Sequence, residues 1–230
     1  MEILKAPETH QVEEMGKGFD VSRRRFLQLA GGLTGAGIVL ASCQGRTPGS
    51  DVYIGEGDVA LLNYIYILQQ LEAFFYTQAV ATPYYGLNQS ESDCLTDLRD
   101  QEIAHREYIK TLLGTSAIPN IVINFSNTTF ADRTSVISSA AALEDLVVTG
   151  LLGAAALFKN TDYALAVSKM VTVEARHSAY FRDLVNYNSF GSSSAVSTIN
   201  GIDIANSPSA VLSLAQAYIQ TKFDSSKLPS

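Results

Sequence analysis

Two stretches of the 230-residue chain decide its fold: EIAHREY at residues 102–108 and EARHSAY at residues 174–180. Both read Glu-x-x-His-x-x-Tyr. On a helix, positions three apart share a face. Glu102 therefore points with His105, and Glu174 with His177, and Tyr108 and Tyr180 extend each stripe. The chain has three histidines, and two of them stand in these motifs. The pattern repeats further out. Glu72 is the single charged residue of 59–90, and Glu144 and Asp145 are the charged residues of 134–158. Each polar position of the first half recurs 72 residues later: Leu71-Glu72 at Leu143-Glu144, Glu102 at Glu174, His105 at His177, Tyr108 at Tyr180. A helical hairpin repeated with its polar positions predicts two halves related by a pseudo-twofold axis. Such an axis gathers four glutamates and two histidines around one centre.

These residue types in that arrangement point to metal. Carboxylates are hard donors able to bridge two cations, and imidazole suits iron, manganese or zinc. Four carboxylates in an apolar core repel one another, and an unpaired buried charge costs several kcal/mol. Two divalent cations cancel four negative charges. The expected ligands are Glu72, Glu102, His105, Glu144, Glu174 and His177. The 72-residue offset selects Glu144 over its neighbour Asp145, which falls opposite Ala73, so loss of Asp145 is expected to be nearly silent. Tyr76, Tyr108 and Tyr180 are candidates for the neighbourhood of the centre, as core aromatics first and redox groups second.

Apolar periodicity places four helices at about 58–81, 92–113, 134–158 and 162–187, with Asp58 and Asp132 as candidate N-caps. The third and fourth are joined by a few residues and so are antiparallel neighbours. The second-to-third connection is about 20 residues, able to reach roughly 60 Å. That exceeds a 24-residue helix at roughly 36 Å, which suits an all-α four-helix bundle with one long crossover. PSAVLSLAQAYI at 208–219 predicts a short helix on the bundle end. Gly150, Gly153 and Ala154 to Ala156 mark close helix packing.

The set Glu72, Glu102-x-x-His105, Glu144, Glu174-x-x-His177 resembles the ferritin-like di-iron carboxylate superfamily over about residues 58–187. The exported form with a tail after the bundle looks like the ferritin-like proteins of desiccation-related type. The resemblance implies two iron ions, with manganese the other candidate. It implies Glu102 and Glu174 as bridging ligands, Glu72 and Glu144 as terminal ones, and one histidine per metal. It also implies O2 or peroxide as reactant. Rubrerythrins carry a Cys-x-x-Cys module and a further glutamate on the third helix. Here Val147 and Val148 follow Glu144 and no cysteine pair occurs, so an oxidase or peroxidase would draw on an external electron donor.

The N-terminus carries its own signals. SRRRFLQ at 22–28 resembles a twin-arginine export signal, with Arg23 and Arg24 as the pair, and LASC at 40–43 resembles a lipobox with Cys43 as the lipidated residue. The expected organisation is signal 1–43, tether 44–57, bundle 58–187 and C-terminal extension 188–230. It predicts export by the twin-arginine route and a lipid anchor in the cell-envelope membrane. With Cys43 lipidated, Cys94 has no disulfide partner. Net charge of −7 argues against a nucleic-acid partner. Two functions are open on these residues: an oxidoreductase with a dinuclear iron or manganese centre, and a non-catalytic envelope protein of stress or desiccation tolerance whose metal is structural.

Overall fold

The computed structural model describes residues 51–191, 196–197 and 199–230. Cys43, Arg23, Arg24 and the first part of the expected tether lie outside the described residues. Four long helices dominate: α1 (Gly57–Ala81), α2 (Gln89–Leu113), α3 (Arg133–Ala155) and α4 (Thr161–Val185). A short helix α5 (Pro208–Ala215) and two strand fragments, β1 (Val52–Tyr53) and β2 (Phe223–Asp224), complete the order. α1 packs chiefly on α2 and α3 on α4, and α1 and α3 join the two hairpins. This is the expected all-α bundle with a long crossover and a C-terminal helix.

Local chemistry sets the helix ends. Asn88 caps α2 by accepting the Glu91 N–H at 2.9 Å, Asp132 caps α3 through Ser135 N–H at 2.7 Å, and Asn160 caps α4 through Asp162 N–H at 2.9 Å. α2 thus starts three residues before the expected Ser92. α3 ends at Ala155 rather than at 158, and α4 at Val185 rather than at 187. Asp58 does not cap its own helix. Its carboxylate accepts the Lys159 and Asn160 N–H groups, pinning the α3–α4 turn to the start of α1.

α1 is buried on nearly every side. Two of its polar side chains, Asn63 and Gln70, are structural ties. Asn63 donates to the carbonyls of Ile54 and Ser116 and accepts from Ile118 N–H, each at 3.0 Å. Gln70 accepts from Ile121 N–H at 3.0 Å. These bonds seat the crossover along the bundle, where it is joined by the C-terminal segment through an Ile123–Ile219 bridge.

The tether expectation needs correction at its end. β1 pairs in parallel with β2, and Ile54 is fully buried. The residues just before α1 are part of the fold. The small residues of α3 do mark close packing, with helices at Gly150 and with the C-terminal extension at Gly153. A side chain at Gly153 would overlap the Asn206 carbonyl, and one at Gly150 would overlap the Tyr64 hydroxyl and Val211. The Asn206 N–H donates to the Thr149 carbonyl at 3.0 Å. Close approach on this helix mostly admits the C-terminal extension. α3 is long and apolar enough to cross a bilayer by composition. In this fold its apolar surface is shared among α1, α4 and α5.

Candidate metal centre

All six expected ligands converge in the middle of the bundle. One glutamate comes from each helix: Glu72 from α1, Glu102 from α2, Glu144 from α3 and Glu174 from α4, and none has accessible surface. His105 and His177 stand one turn after Glu102 and Glu174. Their side chains are 16 % and 8 % exposed, so His105 lies nearer solvent.

The distances sort the carboxylates into two kinds. Glu102 reaches both imidazoles: Oε2 is 3.2 Å from His105 Nδ1 and Oε1 is 3.1 Å from His177 Nδ1. Glu174 does the same, with Oε1 at 2.9 Å from His105 Nδ1 and Oε2 at 3.2 Å from His177 Nδ1. Each places one oxygen on each side of the centre, as a bridging carboxylate does. Glu144 approaches His177 alone, at 3.6 Å. Three groups bring their donor atoms within 4.8 Å of one another: Glu102–His105–Glu174, Glu102–Glu144–His177 and Glu72–Glu144–Glu174.

Several of these atoms are buried and lack a hydrogen-bond partner: Glu72 Oε1, Glu102 Oε1, Glu144 Oε2, Glu174 Oε2 and His177 Nδ1. His177 Nδ1 is close to three carboxylate oxygens yet aligned with none of them. Buried polar groups are normally paired. Unpartnered donors facing one another across a small space fit a divalent cation.

Protons balance the charge in the metal-free site. Burial and the neighbouring carboxylates push Glu72 well up, and burial pushes Glu144 up to about 8 against the pull of His177. Burial would also raise Glu174, but the two imidazolium groups beside it, His105 at 2.9 Å and His177 at 3.2 Å, win and hold it at about 2. Burial would lower the imidazoles; instead Glu102 and Glu174 raise His105 to about 10, and Glu102, Glu144 and Glu174 raise His177 to about 12. Metal ligation requires deprotonated donors, so a cation entering here displaces protons.

Two participants escape the motif reading. Gln69, fully buried, donates from Nε2 to Glu72 Oε2 at 2.8 Å and to Glu174 Oε1 at 3.0 Å. Gln101 Oε1 lies 3.1 Å from His177 Nε2. For Gln69 the available signal was a glutamine one turn from Glu72 in a charge-poor helix; Gln101, on the charge-rich α2, carried none.

Of the three tyrosines, Tyr76 reaches the centre, where its buried hydroxyl donates to Glu144 Oε1. Tyr108 and Tyr180 are 43 % and 37 % exposed and look outward. Asp145 faces away from the centre, as the offset requires, but it is not idle. Its carboxylate accepts from Ser178 Oγ at 2.7 Å and from the buried Arg182 at 2.6 Å. Asp145 therefore stands outside the cluster of inward carboxylates, but its loss is not expected to be silent for stability.

A family model described as a ferritin-like domain matches residues 57–187. No curated protein sequence matches the chain.

Proposed function

The chain belongs to the ferritin-like domain family, and we propose that it binds a dinuclear iron or manganese centre that reacts with O2 or peroxide. The observation that carries this reading is the cluster of inward donor atoms left without partners on all four helices. Glu102 and Glu174 would bridge, Glu72 and Glu144 would each hold one metal, and His105 and His177 would each complete one. Such a centre supplies redox chemistry toward a bound oxidant. The protein's part is to exclude water with the apolar walls of α1 and α3 and to hold the carboxylates in place. Loading the metals would displace the protons that Glu144 and the two imidazoles hold in the metal-free site. Electrons would come from an external donor.

The same reading places the protein in the bacterial cell envelope. It is exported through Arg23-Arg24, anchored by lipid on Cys43, and of the desiccation-related, stress-protective type. Metal content measured on protein from the native envelope, together with peroxide turnover, tests the function. Two redox metals with turnover support it. Two metals without turnover leave a structural centre, and no metal overturns it. Lipid labelling that persists in Cys43→Ala would refute the anchor.

A further inference from the structure

The two halves share their ligands but not the side chains behind the ligands. Shifting by 72 residues turns Gln69 into Ala141, Tyr76 into Val148 and Gln101 into Val173. All three polar supports belong to the first half, and all three counterparts are apolar. Where these supports point decides the consequence. Tyr76 donates to Glu144 Oε1 and leaves Oε2 facing the centre without a partner. Gln101 stands on His177 Nε2. With a cation on Nδ1, that contact keeps the ring proton outward on Nε2 and fixes the ring. Both ligands particular to the Glu144–His177 position are thus held from behind.

The Glu72–His105 position is built differently. Gln69 steadies Glu72, but it also holds Glu174, which serves both positions. Among the described residues none hydrogen bonds His105 Nε2. The residue that symmetry would place there is Val173, and the His105 ring is the more exposed of the two. We propose that the two metal positions are unequal: the Glu144–His177 position, preorganised by Gln101 and Tyr76, fills first and tightly, and the Glu72–His105 position fills second and exchanges. Gln101 acts as a positioning residue.

The inference rests on the dinuclear reading, and the test keeps the two apart. Mn(II) is titrated calorimetrically into the metal-free full-length chain. The wild type is expected to bind in two steps, separated by the about 10- to 100-fold that orienting partners contribute to affinity. His105→Ala keeps the tight step, and His177→Ala loses it. Gln101→Val copies the second half; it should weaken the tight step and close the gap. Val173→Gln supplies His105 with the missing partner and should tighten the weak step. Both substitutions lie at exposed or partly exposed positions, so melting curves of the metal-free variants should match wild type. Two equal steps in wild type overturn the inequality, and a gap unmoved by Gln101→Val overturns Gln101 as its source. A wild type that binds no metal overturns the dinuclear reading beneath it.

Discussion

The first hairpin of the bundle and the second each carry the same three-residue Glu, Glu-x-x-His pattern, but little else in them matches. α1 is filled with large and polar side chains, and Asn63, Gln69, Gln70 and Tyr76 all bond outward from it. In α3 the same positions are Ser135, Ala141, Ala142 and Val148. α1 ties down the crossover, whereas α3 shrinks to Gly150 and Gly153 to admit the C-terminal extension. The difference teaches where the repeat is constrained. Symmetry survives at the six inward residues, where a pair of cations would need equal charge on both sides. Elsewhere each half adapted to the segment that packs on it.

The comparison breaks most completely at the bridging carboxylates. Glu102 and Glu174 each reach both imidazoles, so neither belongs to one half. We predict that Glu102→Ala or Glu174→Ala removes both metals, measured as metal per chain after loading and gel filtration. One metal retained in either variant would show that the carboxylate serves a single position.

The glycines offer a second break, in packing. Ala81 is the counterpart of Gly153, so Gly153→Ala restores the repeat. The new methyl would meet the Asn206 backbone, which cannot swing aside as a side chain can. Overpacking typically costs about 1–3 kcal/mol, and the high end is expected here. Chemical denaturation reads it directly, and unchanged stability would mean that the C-terminal extension is not seated on α3.

pH sharpens the comparison by charging the centre. Glu72 and Glu144 are raised from their usual 4.5, and His105 and His177 from 6.5. In the metal-free fold each holds a proton that the unfolded chain has already released. Each therefore stabilises the fold below its unfolded pKa, and that stability is lost as pH rises toward the folded value. Glu174, lowered, has the opposite slope, but its window lies between about 2 and 4.5. Metal-free stability should thus fall from about pH 5 upward, through about 8 for Glu144 and on toward about 10 and 12 for the two histidines. Metal binding needs those protons gone, so its stabilisation should grow over the same window. Melting temperatures with and without Mn(II) measure the gap, and a gap that narrows with rising pH contradicts the assignment.

The sequence made the six converging residues legible because metal chemistry, where it operates, constrains both residue type and spacing. The helices were legible to within a few residues for a related reason, since charge-poor runs and Asx caps leave clear marks. Three things were hidden. Asp58 reads as a cap for α1, but its partners, Lys159 and Asn160, are a hundred residues away. Gln69 and Gln101 look like ordinary helix residues until α2 and α4 are brought together. The residues before α1 read as a tether because a two-residue strand has no periodicity to detect, and its partner is at the far end of the chain.

The smallest expected effect concerns Asp145, whose counterpart is Ala73. Asp145→Ala makes the two halves more alike, and it removes nothing from the centre. Consecutive helix positions point about 100° apart, so with Glu144 facing inward Asp145 lies along the α3–α4 seam. There it binds Ser178 and both sides of the Arg182 guanidinium, with Oδ2 at 2.6 Å from Nη2. Arg182 is 7 % exposed, whereas the Asp145 side chain is 31 % exposed and partly screened by water. Breaking a fully buried pair costs about 3–5 kcal/mol. Screening on the aspartate side, and a further interaction that Arg182 retains, bring the expectation down to about 1–2 kcal/mol. Metal stoichiometry should stay at the wild-type value while the melting temperature falls. Asp145→Asn, which keeps one acceptor oxygen for Ser178 and Arg182 Nε but loses the one that meets Arg182 Nη2, should recover part of the loss. Metal lost from Asp145→Ala with stability intact would mean that Asp145, and not Glu144, is the inward carboxylate. The alignment of the two halves would then be wrong by one residue.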